Sequence, residues 1–173
     1  MSLIQPYQPQ WAEDFQLLAQ ALHHALDGLS IRIEHVGSTA VPGLAAKPII
    51  DVDIVFPQTV AFDSIRNRLE AVGYYHNGNQ GIADREVFKR TIAAHTVFDS
   101  IVHHLYVCPE NSFELARHLR FRDALRASEA ARAAYQAMKI EIAALTNQDR
   151  KQYAALKEVK AAVLVEAIMR GDI

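Results

Sequence analysis

The chain has 173 residues, a formal net charge of −2 and a hydrophobic fraction of 50%, which fits one globular domain and excludes a disordered or fibrous chain. A single cysteine, Cys108, excludes an internal disulfide framework, and near-balanced charge excludes the basic surface of a duplex-binding protein. The N-terminal Met-Ser-Leu-Ile-Gln-Pro shows no secretory signal, and Pro, Lys, Asp or Arg interrupts each apolar run before it could span a bilayer. A cytoplasmic protein without membrane contact is therefore expected.

Trp11 to Leu29 reads as an amphipathic helix with Phe15, Leu18, Ala19 and Leu22 on one face, and Gly28 helps to end it. Ile31 to Val36 reads as a strand and Ile49 to Phe56 as another. Residues 38–46 between them are too broken by Pro and Gly for more than a short turn of helix. Thr59 to Val72 reads as a second helix, with Gly73 placed to cap its C-terminus. Tyr74 and Tyr75 open a short strand, residues 77–81 form a turn, and Glu86–Thr91 and Ile101–Cys108 are further strands. From Asn111 the pattern is helical over about 112–126, 129–145 and 149–170. Asn111 with Glu114 resembles a capping box, Ser128 can cap the second of these helices, and Asn147 or Asp149 the third. The order predicts one α+β domain over 1–173: an α/β core over about 1–110, with a mixed sheet flanked by helices, then a C-terminal three-helix segment over about 111–173.

Two features of Ile33–Val55 carry chemistry. Asp51 and Asp53 alternate along a strand, so both point to one face. Ile49 and Val55 share that face, which implies a buried central strand. Adjacent buried carboxylates repel each other unless a cation such as Mg²⁺ or Mn²⁺ neutralises them. Upstream, Gly37-Ser38-Thr39 forms a turn where a phosphate can approach backbone N–H groups and hydroxyls. Alone, each has an ordinary reading, a half-solvated strand or a loop; together they suggest nucleotide chemistry.

The segment Glu34-His-Val-Gly-Ser-Thr-Ala-Val-Pro-Gly-Leu-Ala-Ala-Lys-Pro-Ile-Ile-Asp-Val-Asp53 resembles the hallmark of the GrpB-like family. The likeness continues in His103-His-Leu-Tyr-Val107, in Phe121-Arg-Asp-Ala-Leu-Arg126, in Tyr135 with Lys139, and in Tyr153 with Lys157. It implies a nucleotidyltransferase fold with a polymerase-beta-type core. In that superfamily the Gly-Ser holds nucleotide phosphate and the paired acids, here Asp51 and Asp53, hold divalent metal. Active relatives usually add a third carboxylate from a neighbouring strand, where two bridged metals can activate the attacking oxygen and the leaving group. Here that strand is His103-His104-Leu105-Tyr106, and Tyr106 stands where the family usually has a further histidine. Glu86 and Asp99 are the remaining acidic candidates.

Other residues fill out the expected site. His104 shares a strand face with Tyr106 and can act as a third ligand or a general base. His35, beside the Gly-Ser turn, can also approach. Arg122 falls between apolar pairs on its helix and should point inward, either to a ligand phosphate or to a salt bridge with Glu34 or Asp51. Lys47 is a possible phosphate contact. Lys157 and Lys160 flank the apolar stripe of the last helix, where they can simply snorkel. Residues 1–60 carry Glu13, Asp14, Asp27, Glu34, Asp51 and Asp53 against Arg32 and Lys47, whereas 111–173 is mildly basic. That asymmetry suits a metal site facing an anion-binding wall, or ordinary solvated helices.

The expected function is metal-dependent nucleotidyl transfer from a nucleoside triphosphate or related nucleotide. Asp51, Asp53 and His104 would be catalytic, and Gly37, Ser38, Thr39, Lys47 and Arg122 would bind nucleotide. A non-catalytic nucleotide-binding module, or a partner-docking protein, would be the alternatives. The partner is a nucleotide or another phosphate-bearing small molecule; sequence does not name the acceptor or the oligomeric state.

Overall fold

A computed structural model of the protein describes residues 2–91 and 96–173. Helix α1 (Gln10–Ala25) leads into β1 (Arg32–Val36), a 3₁₀ turn (Ser38–Ala40) and β2 (Ile50–Phe56). Helix α2 (Phe62–Ala71), β3 (Tyr74–His76), β4 (Glu86–Arg90), a short α3 (Val97–Ser100) and β5 (His103–Pro109) complete the α/β part. Three helices follow, α4 (Phe113–Ala127), α5 (Glu129–Leu145) and α6 (Arg150–Arg170).

The five strands form one mixed sheet in the order β1-β2-β5-β4-β3. Among the described residues, only the β2–β5 pair is parallel. Strand β2 is internal, as its apolar residues on both faces require. Its Ile50, Val52 and Ile54 meet Leu18 and Leu22 of α1 and Ile65 and Leu69 of α2 in the main core. These side chains are almost completely buried, so truncating one such as Leu22 to Ala would cost about 2–5 kcal/mol. Asp51 and Asp53 lie on the opposite face of β2. There Val41 and Leu44, after the 3₁₀ turn, pack on Leu125, Tyr135 and Val165 of the C-terminal helices.

The α+β architecture and the three-helix segment match the sequence reading. Some boundaries moved. α1 stops at Ala25, short of Leu29, and Gly28 adopts a left-handed φ of 78° in the turn beyond. Ser112, rather than Asn111, caps α4, accepting from the amide of Leu115. Ser128 and Asp149 cap α5 and α6 as expected. α3 escaped notice because four residues show no periodicity; its signal is local, a capping box between Thr96 and Asp99.

Candidate functional site

Strand pairing sets the geometry of the acidic face. Asp51 lies between Val36 of β1 and His104 of β5, and Asp53 between Glu34 and Tyr106. Asp51 accepts a hydrogen bond from Nδ1 of His104 at 2.8 Å. The His104 ring is half exposed, and its Nδ1 is engaged with Asp51. Asp53 is fully buried. One of its oxygens pairs with Nδ1 of His118 from α4 at 2.8 Å, while the other, Oδ1, is buried without a hydrogen-bond partner. Burial raises the Asp53 carboxyl above its ordinary range, and the charge of Asp51 adds to this; the His118 contact opposes it. For His118, burial works against the charge, but the hydrogen bond and charge of Asp53 outweigh it and the pKa rises. Glu114 holds the other nitrogen of His118 at 3.3 Å.

Gly37 fits this face closely. Its φ of 73° and ψ of −171° are essentially restricted to glycine. A Cβ there would overlap Oδ2 of Asp51 and sit 3.0 Å from its Cγ. Arg126 of α4 pins the following turn through two hydrogen bonds to the carbonyl of Ala40, at 3.0 and 2.8 Å.

A pocket of about 510 Å³ opens between this face and helices α4, α5 and α6. Gly37, Ser38, Thr39, Lys47, Asp51 and His104 all line it. Lys139 and Lys157 face the same space, with the rings of Phe121, Tyr135 and Tyr153. The Lys139 side chain is buried, and its ammonium donates to Oγ of Ser38 at 3.1 Å and to the carbonyl of Ala45. Burial, with the charge of Lys157, lowers its pKa to about 7. For Lys157 the influence of Tyr135 outweighs burial, and its pKa is raised. Lys47 lies 3.9 Å over the Tyr153 ring, and burial lowers its pKa. The Thr39 hydroxyl is turned inward to His35 and the carbonyl of Ile49, so its side chain is already engaged.

Two expected participants lie elsewhere. Arg122 does not line the pocket. Its guanidinium holds Glu34 at 2.9 Å, the carbonyl of His35 at 3.1 Å and Asp123 at 2.8 Å, so of the two readings it takes the structural salt bridge. His35 pairs with Val52 and therefore points to the core face, where it stacks on Phe15 at 4.5 Å; burial lowers its pKa to about 4. Neither acidic candidate for a third carboxylate reaches the site. Glu86 is opposite Val107, on the other face, and pairs with His76 at 2.6 Å, while Asp99 pairs with Arg90 at 2.8 Å. Lys160 forms a surface pair with Glu141.

His118 and Lys139 were missed by sequence reasoning about the pocket itself. Each had a signal. Glu114, His118 and Arg122 repeat at i, i+4, so the helix face that turns Arg122 inward also carries the histidine. Lys139 interrupts the buried stripe of Tyr135 and Ile142 on α5.

Among the described residues, no group of three or more His, Cys, Asp or Glu side chains could hold a metal ion. The two aspartates nevertheless present oxygens of the right hardness from one strand face, and Oδ1 of Asp53 is buried without a partner. Asp51 lines the pocket, whereas Asp53 is fully buried outside its lining; by donor chemistry the pair fits a hard divalent cation, with Asp51 the open carboxylate and Oδ1 of Asp53 the buried one.

Residues 3–168 match the sequence profile of the family described as GrpB protein. The chain belongs to the GrpB family. It is 33% identical to the UPF0157 protein YqkA of Bacillus subtilis over 85% of its length, and spans 41% of that relative. It resembles the crystal structure of the conserved protein GrpB from Enterococcus faecalis, with a TM-score of 0.78, 30% identity and coverage of 97% of this chain and 98% of that one. The Cid1 poly(U) polymerase, in its MgGTP-bound crystal structure, matches with a TM-score of 0.54 at 17% identity over 79% of this chain and 42% of its own. At that identity the likeness is one of fold. This member of the family thus has a nucleotidyltransferase-like fold. Among the described residues, no helix is long and apolar enough to cross a membrane.

Proposed function

We propose that this GrpB protein binds a nucleoside triphosphate together with a divalent cation, Mg²⁺ or Mn²⁺, in the pocket between β2 and the C-terminal helices. One observation carries the reading. The pocket lining combines the carboxylate of Asp51 with the ammonium groups of Lys47, Lys139 and Lys157 and the Gly37-Ser38 turn, with Glu158 as a further acid. A metal–triphosphate complex has the complementary charge pattern. Asp51 and Asp53 would hold the cation, which would neutralise their charge and that of phosphate oxygens. The lysines would meet the remaining phosphate charge at short range in a partly desolvated site. Phe121, Tyr135 and Tyr153 offer an apolar wall for a base.

In this reading His104 would serve proton transfer rather than binding. Asp51 engages its Nδ1, an arrangement that suits a general base for an acceptor hydroxyl. A second reading, nucleotide binding without transfer, is favoured by a different observation: Tyr106, not a carboxylate, stands opposite Asp53.

Calorimetric titration of the four ribonucleoside triphosphates, with and without Mg²⁺, tests the binding. The expected result is metal-dependent binding of at least one nucleotide, lost in Asp51→Asn/Asp53→Asn. No binding, or unchanged binding in that variant, overturns the proposal. Pyrophosphate release across a broad acceptor panel then separates transfer from binding alone.

A further inference from the structure

We propose a second anion site beside the nucleotide pocket, on β4 and its entry, where Arg85 and Lys89 receive the phosphate of a small phosphorylated ligand. Its role as an acceptor site rests on the nucleotide reading above; its existence as an anion site does not.

Strand geometry places the site. Val87 of β4 pairs with Tyr106, so Arg85 and Lys89, two residues either side, share the sheet face that carries Tyr106, His104 and both aspartates. Arg85 is half-buried, yet its Nε is buried and has no hydrogen-bond partner. An unpaired guanidinium nitrogen removed from water costs free energy that a bound oxyanion would recover. The guanidinium carbon lies 4.9 Å from the centre of the Tyr106 ring, a cation–π contact that uses none of its donors. Of the nearby acids, Glu86 pairs with His76, Asp99 with Arg90, and one oxygen of Asp53 with His118. The charge of Arg85 reaches Asp53 and lowers its pKa, but no ion pair among the described residues includes Arg85.

Arg85 and Lys89 line a cavity of about 610 Å³, a size suited to a small molecule rather than to a macromolecular surface. His104 and Tyr106 line both this cavity and the nucleotide pocket, so the two spaces meet at the residues nearest the aspartates. Arg85, Lys89 and Arg90 outnumber the single carboxylate of the lining, Asp99, which leaves the cavity cationic. A ligand anchored by its phosphate at Arg85 would reach the residues that the two spaces share. In transfer, its hydroxyl oxygen would bond the α-phosphorus, the hydroxyl proton would pass to solvent, and pyrophosphate would leave with the electron pair of the broken P–O bond.

The test uses the full chain, ¹⁵N-labelled, titrated with inorganic phosphate while the arginine Nε–Hε signals are followed by NMR. Arg85→Lys, which keeps charge and stem but loses the planar fork, assigns the signal by its disappearance. The expected result is a saturable shift of the Arg85 signal and phosphate binding at that site at least tenfold weaker in Arg85→Gln. Lys139→Met should leave this phase within twofold while weakening nucleotide binding. An Arg85 signal that stays fixed while other signals saturate, or Arg85→Gln binding phosphate like wild type, overturns the site. Should nucleotides fail to bind while the Arg85 phase persists, the nucleotide reading falls and the anion site stands.

Discussion

Gly37 is glycine because Asp51 occupies the space where its side chain would be. The two residues come from different parts of the hallmark segment, and the β1–β2 pairing brings them into contact. The Gly37-Ser38 turn and the acidic strand are therefore one built unit rather than two neighbouring motifs.

Gly37→Ala tests that unit. The backbone conformation alone costs about 1–3 kcal/mol for a non-glycine residue, and the overlap with Asp51 adds to it. Chemical denaturation should show a loss of at least that size, and Mg²⁺-dependent nucleotide binding should fall with it. A variant with wild-type stability and binding contradicts the close packing.

Divalent metal should stabilise the free protein. Ligand at a hundredfold excess over its Kd adds about 2.7 kcal/mol to the folded state. Melting temperature should therefore rise with added Mg²⁺ or Mn²⁺ in the wild type and stay constant in Asp51→Asn/Asp53→Asn, as read by differential scanning calorimetry. An equal rise in both proteins places the effect outside the aspartates.

Arg122 should behave as a structural residue. Its half-buried contacts to Glu34 and to the carbonyl of His35 tie α4 to β1. Arg122→Met should lower stability by about 1–3 kcal/mol, between the value of an exposed pair and that of a broken buried one. Nucleotide affinity, measured well below the unfolding transition, should change less than threefold.

Much of this was legible in the sequence, and the missing parts share a cause. The alternation of Ile50, Val52 and Ile54 with Asp51 and Asp53 declared a buried strand with a polar purpose, because strand periodicity is local. The burial of Arg122 was also legible from its helical position, but not which carboxylate it would find. That choice depends on how α4 crosses the sheet, a tertiary fact that also brings His118 to Asp53. Lys139 is far in sequence from the Ser38 it contacts. Its inward place could be read from the α5 stripe, but its pocket could not. β5 supplies His104 and Tyr106 at the positions facing the two acids, a pairing that follows from the parallel register of β2 and β5.

Lys139 makes both binding and stability depend on pH. Its folded pKa lies near 7, below the ordinary 10.5 it regains on unfolding. Between those values the unfolded chain binds more protons, so the Lys139 contribution makes stability rise with pH from about 7 upward; below 7 the full penalty of the buried charge stands. A bound phosphate favours the charged amine, so nucleotide affinity should fall as pH rises above about 7, by up to tenfold per unit. Titrations at several pH values check this, and Lys139→Met should bind at least tenfold more weakly at pH 6 with a flatter profile. A wild-type profile that is flat, or that rises with pH, contradicts the role of Lys139.

The most direct test of the central claim is a crystal structure of the full chain with Mn²⁺ and a non-hydrolysable nucleoside triphosphate analogue, with anomalous data at the manganese edge. The account predicts a manganese peak bound by Asp51 and Asp53 and phosphate oxygens within hydrogen-bond distance of Ser38, Lys139 or Lys157. Manganese away from both carboxylates, or a nucleotide seated outside this pocket, would contradict it.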